Sequence, residues 1–301
     1  GLSYKLSAFL LMPNTSSPIL IADAGSTKTD WAVLAPDGGV SLISTQGINP
    51  FMLSAAQISG ILQTELLPDM PGIVPAAVHF YGAGCAGAGI AVVEEALRGL
   101  FSAAELHVAS DLLGAARALC GHGDGIACIL GTGSNSCLYL DGAIRANVSP
   151  LGFILGDEGS GAVLGRRLVG DVLKRQLPET LCQDFEKEYQ LTAADIIQRV
   201  YRSPLPNRFL ASFAPFLSRH RYEPAVQALL EEEFARFFRR NVCAYRRPDL
   251  PVHFAGSIAR HFQTEVFAAA RSLGLQPGRV EAAPMEALVR YHLDRADAYL
   301  I

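Results

Sequence analysis

The hydrophobic and polar positions change period several times along the chain, and each change marks an element. Residues 19–24 form an apolar run interrupted only by Asp23, followed by a turn of small polar residues, a second apolar run at 31–34, the turn Pro36-Asp37-Gly38-Gly39 and a third run at 40–43. This pattern predicts a three-strand meander closed by a Pro-Asp-Gly turn. Apolar residues at helical spacing over 54–67 predict a helix that stops at Pro68. A strand at 77–81, a helix at 91–101, a strand at 105–109 and a helix at 112–119 closed by Gly121 follow. The first third of the chain therefore reads β-β-β-α-β-α-β-α.

The pattern then repeats. Residues 126–140, IACILGTGSNSCLYL, have the same sequence of apolar strand, Gly/Ser/Thr turn and apolar strand as residues 20–34, LIADAGSTKTDWAVL. Gly25 aligns with Gly133 and Trp31 with Tyr139, both at an offset of 108, and Asp141-Gly142 answers Asp37-Gly38. Two related halves are implied, each opening with a strand-turn-strand hairpin. The second half continues with a strand at 144–148 and becomes mostly helical, with predicted helices at 160–174, 192–201, 209–217 and 225–245. A strand at 251–254 and helices at 258–273 and 285–299 complete it. The fold class is α/β, in two lobes with helical insertions in the second.

Composition narrows the classes. At 301 residues the chain exceeds one ordinary core, and half of it is hydrophobic with only 18% charged, so two globular domains are expected. The net charge of −4 provides no positive field for a nucleic acid or an acidic membrane surface. Cys85, Cys120, Cys128, Cys137, Cys182 and Cys243 form no C-x-x-C pair and have no zinc spacing. They read as reduced thiols, which suggests a cytoplasmic protein. No apolar run approaches the ~20 residues of a membrane span. Residues 1–17 carry one Lys and an apolar patch without a cleavage site behind it. They are expected to be an extension or tag remnant, with Met12 the native initiator.

Chemistry concentrates in the turns. Asp23-Ala24-Gly25-Ser26-Thr27-Lys28-Thr29-Asp30 lies between two strands. Small residues let backbone N–H groups approach an oxyanion, hydroxyls add donors, and Lys28 adds charge. Asp23, at the end of a buried strand, is a costly carboxylate unless something such as Mg²⁺ compensates it. Gly131-Thr132-Gly133-Ser134-Asn135-Ser136 repeats the donor chemistry, and two such nests, one per lobe, can clamp a polyphosphate across a cleft. Ala255-Gly256-Ser257 follows a strand and opens a helix, where backbone can pack against a nucleotide. Asp111 follows the strand 105–109 and opens a helix, at the strand end where α/β sheets place ligands. It reads either as a general base or as a helix N-cap. Tyr81-Gly82-Ala83-Gly84 holds a G-x-G pattern that suits a strand-helix connection. The runs Glu231-Glu232-Glu233 and Arg239-Arg240 read as solvated helix faces, and His79, His107, His253, Cys128 and Cys137 as core.

D-A-G-S-T-K-T-D, G-T-G-S-N-S and H-F-A-G-S resemble the phosphate-1, phosphate-2 and adenosine motifs of the actin-like ATPase and sugar-kinase superfamily. Leu155-Gly156-Asp157-Glu158-Gly159-Ser160-Gly161 resembles the G-D-E-G-S signature of N-acetylglucosamine kinases and the related BadF/BadG-type ATPases. The resemblance runs from about residue 19 to the last helix. It implies two ribonuclease-H-like lobes around a central cleft, with boundaries expected at 18–117, joined by the last helix 285–301, and at 118–284. It implies ATP and Mg²⁺ as cofactors, with Gly25, Ser26, Thr27, Lys28, Thr29, Gly131, Thr132, Gly133, Gly256 and Ser257 at the nucleotide and Asp23 at the metal. S-D-L-L-G-A-A-R-A matches the segment in which these kinases carry their catalytic Asp, here Asp111. Asn49, Ser134, Asn135, Leu151, Gly152, Phe153 and Asp157 fall at the sugar. One departure from the animal members is Leu151-Gly152-Phe153-Ile154 where they have Gly-Trp-Gly-His, at the acetamido end of the pocket. Asp157 and Glu158 read alternatively as a solvated acidic pair.

The resulting expectation is an ATP-dependent kinase acting on the 6-hydroxyl of an N-acetylated amino sugar, most simply N-acetylglucosamine. Its partner is that small molecule, with neither nucleic acid nor membrane involved and with a homodimer compatible with the family. N-acetylmuramic acid kinase and a reductase-activating BadF-type ATPase are the alternatives. The latter generally needs cysteines paired for an iron–sulfur cluster. A repressor-type sugar sensor would need an N-terminal DNA-binding helix pair, which residues 1–17 do not supply.

Overall fold

The computed structural model describes residues 17–25, 28–282 and 284–298. The expected extension, apart from Ser17, and the nest residues Ser26 and Thr27 lie outside the described residues. Strands β1 (Ile19–Ala24), β2 (Lys28–Leu34), β3 (Val40–Gln46), β4 (Ala77–Gly82) and β5 (Glu105–Ser110) form one sheet in the order β3-β2-β1-β4-β5. The first three pair antiparallel as a meander, and β4 and β5 add in parallel. Strands β6 (Gly125–Leu130), β7 (Ser134–Leu140), β8 (Ala143–Ala146), β9 (Pro251–Ala255) and β10 (Gln276–Glu281) form a second sheet in the order β10-β9-β6-β7-β8. Read from its other edge, it has the topology of the first. The chain divides into two compact units: the described residues up to His122 together with those from 284 on, and Gly123–Ala282.

Side-chain alternation builds the first unit as three layers. Leu20, Ala22 and Ala24 of β1 join Trp31, Phe80 and the helices Ala55–Ile61 and Ala88–Leu100 in one core. Ile21 faces the other way, with Ala32, Leu34, Tyr81, Ala118 and the buried residues Leu288 and Val289 of the helix Pro284–Ala298. The late helix thus completes the far layer of the first unit, beside the helix Asp111–Cys120. In the second unit one core surrounds Ile126, Cys128, Leu130, Val252 and Phe254. Phe185, Phe213, Phe216, Phe234, Phe237 and Phe238, all fully buried, come from the mostly helical segment inserted between β8 and β9.

Several elements differ from the sequence reading. The helix expected to stop at Pro68 passes instead through a π-helical turn, Leu62–Leu66, into a short 3₁₀ turn, Leu67–Asp69, where proline is tolerated because it begins a new turn. The helices expected at 209–217 and 258–273 are each broken in two, at residues 212–213 and at the buried Phe262. That expected at 225–245 gives way to a 3₁₀ turn, Val242–Tyr245. The helix Glu179–Tyr189, the helical turn Gly152–Leu155 and strand β10 are additions. The repeat alignment also shifts. The hairpins end on the pairs Ala24↔Thr29 and Leu130↔Ser134, so Gly25 corresponds to Gly131, and the first turn is one residue longer than the second.

Two glycines of the helix Gly161–Leu173 give a test of packing. A Cβ on Gly165 would lie 1.8 Å from the carbonyl oxygen of Leu210, whereas one on Gly170 would meet nothing within 4 Å. Gly170→Ala should gain up to about 1 kcal/mol of helix propensity. Gly165→Ala should lose about 1–3 kcal/mol to overpacking against backbone that cannot yield. Thermal denaturation should therefore move in opposite directions for the two variants.

Candidate functional site

In the first unit, strand alternation sends Asp23 to the Ile21 face, the one covered by the helix that begins with Asp111. The structure removes the N-cap reading of Asp111 at that helix start. Ser110, in extended conformation, is the N-cap, its Oγ accepting from Leu113 N at 3.3 Å. Asp111 is left in the first turn, where its Oδ1 accepts from Leu112 N at 2.9 Å. Burial pushes the Asp111 carboxyl above its usual range against the lowering effect of that backbone bond. Burial also pushes Asp23 up to about 6, with the charges of Asp111 and Asp30 adding to the effect. Two partly desolvated carboxylates, with the Asp111 charge opposing ionisation of Asp23, make a site suited to a positive partner.

The surrounding turn is tighter than expected. The ladder's last pair is Ala24↔Thr29, and Gly25 N donates to Lys28 O at 2.9 Å. Lys28 pairs with Asp30 at 2.8 Å on the exposed side of the ladder. Thr29 is fully buried and its Oγ1 accepts from Ile48 N at 3.1 Å. It therefore faces the interior, where it fixes the segment leading to Asn49. Asn49 in turn lies against Gly84, where a Cβ would approach its Oδ1 to 2.2 Å and φ is +78°. Gly84 thus makes room for Asn49, while Gly89 packs against Gly84 O and Pro50. Cys85, in the same loop, is buried, and desolvation followed by the Asp111 charge pushes its thiol up to about 12.

In the second unit the turn after β6 is pinned from below. Gly131 O accepts from Gly161 N at 2.7 Å and Thr132 O accepts from Ala162 N at 3.1 Å, which joins the turn to the first turn of the helix Gly161–Leu173. Thr132 is left exposed. Asp157 Oδ1 accepts from Ser134 N at 3.2 Å, and the same carboxylate would meet a Cβ on Gly133 at 3.2 Å. Asp157 has φ +50°, a left-handed conformation that costs a non-glycine residue energy and is held here by the bond from its N to Pro150 O at 2.8 Å. Burial raises its carboxyl pKa, partly offset by the Ser134 N–H. Asn135 Oδ1 accepts from Ser136 N and from Asn147 Nδ2. Leu151, with φ +63°, precedes the short helical turn Gly152–Leu155, and Leu151, Ile154 and Leu155 are exposed.

One alternative reading and one expectation from the sequence are corrected here. Glu158 is not part of a solvated pair: it is buried, ion-paired to Arg240 and bonded by Asn241 Nδ2 at 3.3 Å. Burial would raise its pKa, but its own backbone N–H, Arg240 and Asn241 outweigh that and lower it. Nor is the Glu231–Glu232–Glu233 run a solvated face throughout. Glu233 is fully buried, receiving Arg167 at 2.9 Å, Arg236 at 3.0 Å and Gly159 N at 3.2 Å. Together Glu158 and Glu233 fasten the Asp157 loop to the helix Pro224–Arg240. Tyr245, another residue the sequence did not single out, donates to Ser136 O at 3.0 Å and accepts from Val148 N at 3.1 Å.

Gly131, Thr132, Gly161 and Ser257 converge on one cavity of about 500 Å³. Its walls are Ala214, Pro215 and Ser218 on one side and Ile258, His261 and Phe262 on the other. Gly256, with φ +107°, has no room for a side chain, since a Cβ would sit 2.3 Å from Leu130 O. A partly apolar slot with a glycine turn at its mouth has the size and polarity of a nucleoside site. Among the described residues no group of three or more His, Cys, Asp or Glu side chains could hold a metal ion. Asp23 and Asp111 suit a hard cation such as Mg²⁺ that takes its remaining ligands from phosphates and water.

No protein-family model matches the sequence, and no curated protein does. Among solved structures, the putative N-acetylglucosamine kinase of Porphyromonas gingivalis is 52% identical, with a TM-score of 0.86 over 92% of this chain and 99% of that one. The putative N-acetylglucosamine kinase of Chromobacterium violaceum is 21% identical with a TM-score of 0.68, over 91% of this chain and 99% of that one. The ethanolamine utilization protein EutJ of Carboxydothermus hydrogenoformans is 16% identical with a TM-score of 0.52, over 92% and 89%. The last two share the fold. With the duplicated β3-β2-β1-β4-β5 sheet and a relative more than half identical along nearly its whole length, the chain belongs to the N-acetylglucosamine kinase family of the actin-like ATPase and sugar-kinase superfamily.

Proposed function

We propose that the protein transfers the γ-phosphoryl group of ATP to the 6-hydroxyl of an N-acetylated amino sugar, most simply N-acetylglucosamine. The observation that carries this reading is Asp111: a partly desolvated carboxylate, relieved of helix capping by Ser110, beside a second carboxylate in the same condition. The relative from Porphyromonas gingivalis supports the substrate class. The buried cysteines Cys85, Cys128, Cys137 and Cys182 are poorly suited to ligate a surface cluster, which disfavours the reductase-activating alternative. No helix among the described residues is long and apolar enough to cross a membrane.

In this mechanism the second unit holds the nucleotide, its base in the slot beside Ser257 and its phosphates toward the exposed N–H and hydroxyl groups of Thr132. Asn49 in the first unit, and Asn135 and Asp157 in the second, offer the donors and acceptors that sugar hydroxyls need, while Leu151, Gly152 and Phe153 suit the acetamido group. Asp111 accepts the proton of the 6-hydroxyl as that oxygen bonds to phosphorus and the bond from phosphorus to the β–γ bridging oxygen breaks, releasing ADP. Its raised pKa makes it a better base than a free aspartate. Mg²⁺, held by Asp23 with the phosphates, would supply charge neutralisation.

Asp111→Asn should lower kcat about 10²- to 10⁴-fold with little change in KM, because the carboxylate acts mainly in the transition state. Steady-state kinetics checks this, and retention of more than a tenth of wild-type turnover would return Asp111 to a structural role.

The raised Asp23 pKa predicts a trade of stability for function. The folded protein holds this proton up to about pH 6, against 3.8 for a free carboxyl. Stability is therefore lost as pH rises between those values and stays lost above them, by up to about 3 kcal/mol. Asp23→Asn should melt above wild type in EDTA at pH 7.5, with the advantage gone by pH 4, while its kinase activity is abolished. A variant less stable than wild type at pH 7.5 would contradict this.

A pocket that hydrogen-bonds an acetamido group leaves polar atoms unpaired when the group is missing, so discrimination of up to about 10⁴-fold is expected. Coupled ADP release with N-acetylglucosamine, N-acetylmuramic acid, glucosamine and glucose tests it. Equal kcat/KM for glucose and N-acetylglucosamine would remove the amino-sugar reading and leave the kinase.

A further inference from the structure

Behind the nucleoside slot, and within the same unit, lies a second concavity of about 430 Å³ with a different character. Three arginines line it, Arg221, Arg260 and Arg271, together with His261, Thr264 and Phe267. Their arrangement follows from the helix Gln263–Ser272, in which positions 263, 267 and 271 form one stripe. Phe267 occupies the middle of that stripe, and the Arg271 guanidinium lies 5.6 Å from its ring centroid. The charges are unevenly compensated. Arg221 is held by Glu265 through Nε at 2.8 Å and Nη2 at 2.5 Å, and rests over the Phe262 ring. Arg260 and Arg271 make no ion pair among the described residues. Arg260 and Arg271 are both exposed, so their charges are open to an anion arriving from solvent, and guanidinium is the group that binds phosphate in bidentate fashion.

We propose that this basin is a second ligand site, for a small organic phosphate monoester, whose phosphate is received by Arg260 and Arg271 with the Thr264 hydroxyl adding a donor. Its volume exceeds that of a phosphate ion and lies in the range of small-molecule sites. Phe267 gives the organic part an apolar wall. The ester comes either from a sugar phosphate, the chemical class of the proposed reaction's product, or from a nucleotide. The site does not depend on the kinase reading, since none of its charged residues belongs to the mechanism above.

The test is calorimetric titration of the full chain, saturated with a non-hydrolysable ATP analogue so that the nucleoside slot is filled. Inorganic phosphate, glucosamine 6-phosphate and adenosine 5′-monophosphate serve as separate titrants. Binding that persists in Arg260→Ala/Arg271→Ala belongs to the substrate sites. The difference between wild type and the double variant reports the basin. The expected result is a saturable event in wild type with an organic ester, weakened about tenfold or more in the double variant, whose kcat at saturating substrates is unchanged. The tighter of the two esters identifies the source. Identical binding by wild type and variant, or no saturable event at millimolar concentrations, would overturn the site. Inorganic phosphate binding as tightly as either ester would overturn its organic part.

Discussion

The constraint on which the site depends is the burial of two like charges. Asp23 and Asp111 are side chains that water would stabilise and that the fold instead partly desolvates, with the charge of Asp111 resisting ionisation of Asp23. Nothing about folding favours this arrangement, and an apolar pair would be tolerated at lower cost. The sheet forces it nonetheless. Once Ile21 packs into the layer beneath the helix Asp111–Cys120, Asp23 must point the same way, and the cap at Ser110 leaves Asp111 at the mouth of that layer. The hydrophobic alternation of a single strand thus places one carboxylate, and a serine cap places the other.

The second unit solves a different problem with the same sheet. Its glycine turn has to be rigid enough to present Thr132 while remaining open to a ligand, and both neighbouring supports are polar and buried. Gly161 and Ala162 hold the turn by its carbonyls. Glu158 and Glu233 hold the Asp157 loop, each paired to arginines in a place where an unpaired carboxylate would be severely destabilising. The strained φ of Asp157 survives because those anchors leave the loop little alternative.

The sequence was most legible where burial acts on continuous segments. The meander of β1 to β3, the second hairpin and the parallel strands β4 and β9 announce themselves as apolar runs, and the glycine turns between them point to their chemistry. What could not be read depends on distant partners. Glu233 lies in a run of three glutamates, and nothing local says that Arg167 would reach it. The Ser110-Asp111 pair contains two good caps, and only the backbone conformation assigns the role to Ser110. The edge strand β10 has Pro277, Gly278 and a bulge and shows no alternation, as edge strands tolerate. Aligning Gly25 with Gly133 failed because the two turns differ in length by one residue, a difference that glycines alone do not reveal.

The helix Pro284–Ala298 has a consequence for how the protein is made. It covers Ile21, Ala32 and Tyr81 of the first sheet, yet it follows the whole of the second unit in the chain. On the ribosome, at roughly 5–20 residues per second, the first unit waits about ten seconds or more with one apolar layer covered only in part, by the helix Asp111–Cys120. The second unit is contiguous and has no such delay. The half that carries Asp23 and Asp111 is therefore the last to be completed, and a nascent chain interrupted anywhere before that helix exposes a sticky sheet face to chaperones and proteases.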